Sequence, residues 1–111
     1  MRRRKVQVEE GSGNVFADIG VKNPEEALVK AELVHRITRL LDVRGLTQVR
    51  AAKILGIDQP KVSLLYRGQL NAFSVERLMR FLAALKQNVR IVIEPASRGP
   101  RGKVTVEAAS L

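Results

Sequence analysis

Gln48-Val49-Arg50-Ala51-Ala52-Lys53-Ile54-Leu55-Gly56-Ile57-Asp58-Gln59-Pro60-Lys61-Val62-Ser63-Leu64-Leu65 decides the fold of this 111-residue chain. Thr47 caps a short helix over 48–55 whose inward residues are Ala51, Ala52 and Leu55. Gly56 stops that helix. Asp58 caps the next, Gln59 to about Arg67. Pro60 falls in its first turn, where no intrahelical donor is lost. Val62 and Leu65 face inward, and Gly68 closes the helix. Ala52 is small enough for the two helices to cross closely, and Gly56 supplies the left-handed conformation that a three-residue turn demands. Ile57, Val62 and Leu65 then seat the second helix on a core and leave its other face free to enter a DNA major groove. The spacing is that of a helix-turn-helix.

The flanking sequence supplies more helices. Asn23 is a candidate N-cap, and Pro24-Glu25-Glu26 opens a helix whose dipole its carboxylates suit. That helix runs to about Val43 with Leu33, Val34, Ile37, Leu40 and Leu41 on one face, and Gly45 ends it. Ser74 caps a further helix through Lys86, with Phe73 and Leu78 spaced as a hydrophobic staple. Leu78, Phe81, Leu82 and Leu85 form its buried stripe. Residues 88–94 then alternate, with Val89, Ile91 and Ile93 on one side and Arg90, Val92 and Glu94 on the other, which predicts a strand.

The expected organisation is a flexible basic N-terminal tail over 1–13, a domain over 14–95 with its strand at 88–94, and a flexible C-terminal tail over 96–111. Arg2, Arg3, Arg4 and Lys5 give the first tail its charge, and Gly11-Ser12-Gly13 its joint. Pro95 to Gly102 has linker composition. Val6-Gln7-Val8 and Val104-Thr105-Val106 alternate too briefly to assert strands. The fold class is mostly α: a four- to five-helix domain with a C-terminal β-strand.

Charge narrows the function. Twenty Lys and Arg against eleven Asp and Glu give +9, which favours a polyanionic partner: DNA, RNA or an anionic membrane surface. The charge is uneven. Residues 24–45 hold four acids and four bases, whereas 46–72 hold Arg50, Lys53, Lys61 and Arg67 against Asp58 alone. The four aromatics, Phe16, Tyr66, Phe73 and Phe81, are too few for base stacking along a single strand. The absence of cysteine excludes disulfides, thiolate metal sites and cysteine nucleophiles, and fits a reducing, cytoplasmic setting. No apolar run reaches the ~20 residues of a membrane span, and the basic start lacks the apolar segment of a signal peptide. Asp18, Asp42 and Asp58 have no metal-ligand spacing, Gly11-Ser12-Gly13 lacks the lysine of a phosphate loop, and the single His35 has no nucleophile beside it. No catalytic set, metal or cofactor is expected.

The motif at 48–65 resembles the phage-repressor-like, or Xre-type, helix-turn-helix proteins at its apolar, alanine and glycine positions, without a gap. The wider layout is similar to one bacterial branch, the antitoxins of toxin–antitoxin modules whose toxins are RelE-like ribonucleases. In that branch a stretch like Asn14–Gly20 precedes the first helix, a segment like Arg67-Gly68-Gln69-Leu70-Asn71-Ala72-Phe73-Ser74 follows the motif, and a strand like Val89 to Glu94 ends the domain. The resemblance covers residues 14–95. It implies a sequence-specific repressor of double-stranded DNA that represses its own operon and neutralises a RelE-like toxin. A solitary regulator with the same layout and no toxin is the alternative.

With Val62 and Leu65 inward, helical geometry puts Pro60, Ser63 and Arg67 on the opposite face, flanked by Gln59 and Leu64. The resemblance implies base-reading side chains at the start and middle of this helix. Gln59 suits adenine, which an amide bonds bidentately. Arg67 suits guanine or a phosphate, Pro60 and Leu64 a thymine methyl, and Lys61 a phosphate. Gln48 resembles the family's phosphate-contacting glutamine, and Gln69 and Asn71 lie in the loop that follows the DNA backbone in such proteins. Pro60 and Leu64 replace polar side chains of richer readers, which shifts weight to DNA shape and phosphate contacts. Arg2 to Lys5 are either a solvated tail or a minor-groove arm. A lone strand leaves its backbone unpaired. Pairing of Val89, Ile91 and Ile93 with a two-fold mate gives a dimer suited to a palindromic operator, and pairing with Val6–Val8 or Val104–Val106 is the competing arrangement.

Overall fold

Three of the four capping residues read from the sequence, Thr47, Asp58 and Ser74, act as side-chain caps. A computed structural model of the chain describes Asn14, Phe16, Gly20 and residues 22–109. Among these residues there are four α-helices, α1 (Pro24–Val43), α2 (Gln48–Leu55), α3 (Gln59–Tyr66) and α4 (Val75–Ala84), with a 3₁₀ turn at Leu70–Ala72. The Thr47 hydroxyl accepts from the Arg50 N–H at 3.2 Å. The Asp58 carboxylate accepts from the Lys61 N–H at 3.0 Å. The Ser74 hydroxyl accepts from the Arg77 N–H at 3.1 Å. Each bond satisfies one of the donors that a helix start leaves without a partner.

The stops are as local as the starts. Gly56 has φ 73°, and the N–H groups of Gly56 and Ile57 both donate to the Ala52 carbonyl, at 2.9 and 3.0 Å. A Cβ added there meets nothing within 4 Å, so the backbone angle, not crowding, requires glycine. α1 closes with Leu46 N–H on the Leu41 carbonyl and Gly45 N–H on the Asp42 carbonyl. α4 closes in the same pattern without glycine: Lys86 takes φ 67°, and Gln87 N–H donates to the Leu82 carbonyl at 3.0 Å. It therefore ends two residues before the expected Lys86.

The chain divides into two compact units, one of residues 30–89 and one drawn from residues up to 29 and from 90 onward. In the first, α2 packs on α3 and α4, and the 3₁₀ turn packs on α3. Leu33, Val34, Ile37, Leu40 and Leu41 of α1, Ala51, Ala52 and Leu55 of α2, Val62 and Leu65 of α3, and Phe73, Leu78, Phe81, Leu82 and Leu85 are all buried. Full burial of a Leu or Ile stabilises the fold by about 1.5–3 kcal/mol, and Ile37, Leu41, Leu65, Leu78 and Leu85 are among the fully buried. Phe73 meets Phe81 edge to face, with ring centroids 5.6 Å apart. The Arg44 guanidinium donates to the Leu85 carbonyl at 2.7 Å, tying the end of α1 to the end of α4.

In the second unit the start of α1 departs from the expected cap. Asn23 has φ 52° rather than the extended geometry of a side-chain cap, although its carbonyl accepts from the Ala27 N–H at 3.0 Å. Asn tolerates this left-handed conformation better than most residues. The Asn14 side chain holds the approach: its amide donates to the Pro24 carbonyl, and its Oδ1 accepts from the Phe16 N–H, both at 2.9 Å.

The two strand expectations change as well. Residues 88–94 form no strand among the described residues, because nothing in the described chain supplies a ladder. The internal pairing with Val104–Val106 is not made; the Val104 N–H donates instead to Glu25 Oε2 at 3.1 Å. The other internal candidate, Val6–Val8, lies outside the described residues, as do the basic cluster Arg2–Lys5 and most of 14–20.

Candidate nucleic-acid interface

α3 is anchored by one face and open on the other. Val62 and Leu65 are 0% and 1% exposed. Gln59, Pro60, Lys61 and Arg67 are exposed, and Ser63 and Leu64 half-buried. Gln69 and Asn71, around the 3₁₀ turn, are exposed, and Gln48 at the start of α2 is half-buried. All nine positions read from the sequence are therefore accessible to a partner at least in part. Arg50 and Lys53 of α2 are exposed as well, so the helix-turn-helix carries four solvent-facing cations, and the one acid of the segment, Asp58, is engaged in its own cap.

Two of the nine are joined directly. Gln59 Nε2 donates to Gln48 Oε1 at 3.1 Å, across the turn between α2 and α3. The bond uses one of two amide N–H groups on Gln59 and leaves its Oε1 and second N–H open. It also turns the Gln48 NH2 group, a donor only, away from the pair. Sequence reasoning assigned both residues singly and missed their bond, which the helix-turn-helix packing creates.

A second bond braces the other end of α3. The Tyr66 hydroxyl donates to Asp42 Oδ1 of α1 at 3.0 Å. Burial first, then the bond and the charge of Asp42, push the Tyr66 phenol up to about 12. Tyr66 had registered only as one of few aromatics. The available signal was its place four residues after inward-facing Val62, at the edge of the buried face.

No reactive constellation accompanies these groups. Among the described residues no three His, Asp or Glu side chains stand together as a metal site, His35 lies exposed on α1, and no described helix is long and apolar enough to cross a membrane. The arrangement offers amides, a hydroxyl, cations and a few apolar atoms on the open face of α3, which is recognition chemistry.

Comparison with known proteins agrees. A family model described as a helix-turn-helix domain matches residues 15–94. A solved structure described as an XRE family transcriptional regulator superimposes with a TM-score of 0.75 and 43% sequence identity, over 79% of this chain and 100% of that one. A search of curated proteins gives no match. With the capped α2–turn–α3 unit, its buried anchors and this similarity together, the chain belongs to the Xre family of helix-turn-helix transcriptional regulators.

Proposed function

We propose that the chain is a repressor that reads a specific double-stranded DNA operator by placing α3 in the major groove. The Gln59–Gln48 bond carries this reading. A glutamine bonds adenine through one N–H to N7 and its oxygen to N6–H. Gln59 has those two groups left after its bond to Gln48, and Gln48 keeps its NH2 for a phosphate. Every polar group of the pair is then satisfied on DNA. Arg67, Ser63, Leu64 and Pro60 complete the reading face, while Lys61, Gln69 and Asn71 hold the backbone.

The repressor acts as a two-fold dimer through residues 89–93. Val89, Ile91 and Ile93 are 43%, 74% and 93% exposed, an alternating apolar edge that pairing with a second copy covers. A dimer presents two α3 helices to a palindrome. Sedimentation of Ile91→Asp and Ile93→Asp variants tests this: they sediment as monomers where the parent is a dimer, and an unchanged dimer places the interface elsewhere.

The physiological role proposed is that of an antitoxin, which represses its own operon and neutralises a RelE-like toxin. The sequence likeness of 14–20, 67–74 and 89–94 to that branch supports it. The alternative is a solitary regulator. Titration onto the DNA upstream of its own coding sequence and onto a scrambled duplex, at low and moderate salt, tests the DNA reading. Preference for the upstream DNA that persists at moderate salt supports it; equal binding that collapses with salt reduces it to bulk charge. Co-purification of a small basic ribonuclease encoded alongside supports the antitoxin role, and a gene without such a neighbour removes it.

A further inference from the structure

The segment Arg98-Gly99-Pro100-Arg101-Gly102-Lys103 has three cations, two glycines and one proline, and no side chain of any other kind. All six residues are exposed. Its one described anchor is an acid: Arg101 Nη2 lies 3.2 Å from Glu25 Oε1. The Val104 backbone N–H occupies the other oxygen of the same carboxylate, at 3.1 Å. Glu25 thus holds the segment by one exposed ion pair and one hydrogen bond. Such exposed pairs are weak and screened by salt.

We infer that residues 98–103 form a second DNA contact, an arm that lies in the minor groove of A·T-rich duplex, and that Glu25 holds this arm when no DNA is bound. The inference rests on the DNA-binding reading above. The minor groove is about 6 Å wide, so a chain entering it must be narrow. Residues 97–101 are bent in the free chain, with Gly99 at φ 79°; with glycine between two cations and no bulky apolar side chain, the segment is narrow once that bend opens. A·T pairs suit it because G·C pairs put an amino group on the groove floor and A·T pairs do not. The narrow A·T groove also concentrates negative potential, which draws Arg and Lys. Phosphates outnumber the single carboxylate, so Arg101 exchanges Glu25 for the duplex. Once released, the thirteen residues from Val89 to Arg101 reach at most about 45 Å, enough to meet the groove beside the one that α3 occupies. This contact differs in site, groove and residues from the face of α3.

The test measures binding of the full chain to short alternating A·T and alternating G·C duplexes by fluorescence anisotropy across a salt series. The parent binds A·T about fivefold more tightly than G·C. The double variant Arg101→Ala/Lys103→Ala loses that preference, and its log K against log salt slope falls by about 2. Glu25→Gln tightens A·T binding by about twofold to fivefold beyond the charge-matched control Glu107→Gln. A preference that survives in the double variant, or Glu25→Gln and Glu107→Gln behaving alike, overturns the inference. Lys61→Ala/Arg67→Ala keeps the two readings apart. If it lowers the slope while the tail variant does not, α3 binds DNA and the arm does not. If the parent binds neither duplex but binds the DNA upstream of its own coding sequence, the arm fails and the reading of α3 stands; if it binds none of the three, both fail.

Discussion

Removing Gln48 and Gln59, singly and together, tests the proposed reading head directly. If Gln59 reads adenine as proposed, Gln59→Ala deletes both bonds to that base, and a good bidentate pair is worth about 1–3 kcal/mol of discrimination. That is a loss of roughly fivefold to 150-fold on the cognate site. Gln48→Ala deletes the proposed phosphate contact and also the acceptor that holds Gln59 Nε2 at 3.1 Å. Part of its cost therefore passes through Gln59. The double variant should cost less than the sum of the singles, with a coupling of about 0.5–3 kcal/mol. Neither glutamine is charged, so none of the three variants should alter the salt slope, whereas loss of a cation on a phosphate lowers it by about 0.9. The assay is anisotropy on an operator selected from a random duplex pool, with each base pair then substituted. In Gln59→Ala one adenine position should become indifferent. Additivity within about 0.3–0.5 kcal/mol, or undiminished preference at every base pair, refutes the argument that Gln48 presents Gln59 to a base.

Three other outcomes follow from the fold. Leu65→Ala empties a site that is 1% exposed at the base of α3; it should cost about 2–5 kcal/mol in urea unfolding, and a loss under about 1 kcal/mol would mean the helix is not seated there. Gly56→Ala, forced to φ 73°, should cost about 1–2 kcal/mol, and Gly56→Asn less, as thermal unfolding will show; equal costs would point to crowding, which the open space at its Cβ position argues against. The single tyrosine makes a phenolate absorbance titration unambiguous. Tyr66 should ionise near pH 12, against an ordinary value of 10.0, and Asp42→Asn should lower this only part of the way because burial is the first cause. A folded value above the unfolded one means that this contribution to stability is whole below pH 10 and is lost as pH rises toward 12; ionisation at the ordinary value in the parent would break the Asp42 brace.

What the sequence discloses about this chain depends on how far apart the interacting groups lie. Thr47, Asp58 and Ser74 act on backbone three residues away, so their caps were legible. Helical periodicity likewise identified Ile37, Leu65 and Leu78, because a 3.6-residue repeat states which side is buried without stating against what. The end of α4 was misread by two residues because a lysine fills the left-handed position that glycine marks elsewhere. The bonds that shape the candidate site span 11 residues for Gln48–Gln59 and 24 for Asp42–Tyr66. No local propensity encodes them.

Residues 88–94 are the extreme case of this dependence on distance. Their alternation reports a side that wants cover, and a ladder needs a second strand that alternation cannot name. The described chain makes no ladder for them, while Ile91, Val92 and Ile93 stay more than 70% exposed. Three adjacent aliphatic side chains left in water cost free energy that burial would recover. Under the proposed dimer this surface is covered when the protein works. A second copy, the occupant proposed above, would also double α3, so one edge would serve both solubility and operator symmetry. If instead a toxin covered that edge, toxin binding and dimerisation would compete for the same residues, and the toxin would weaken operator binding rather than strengthen it.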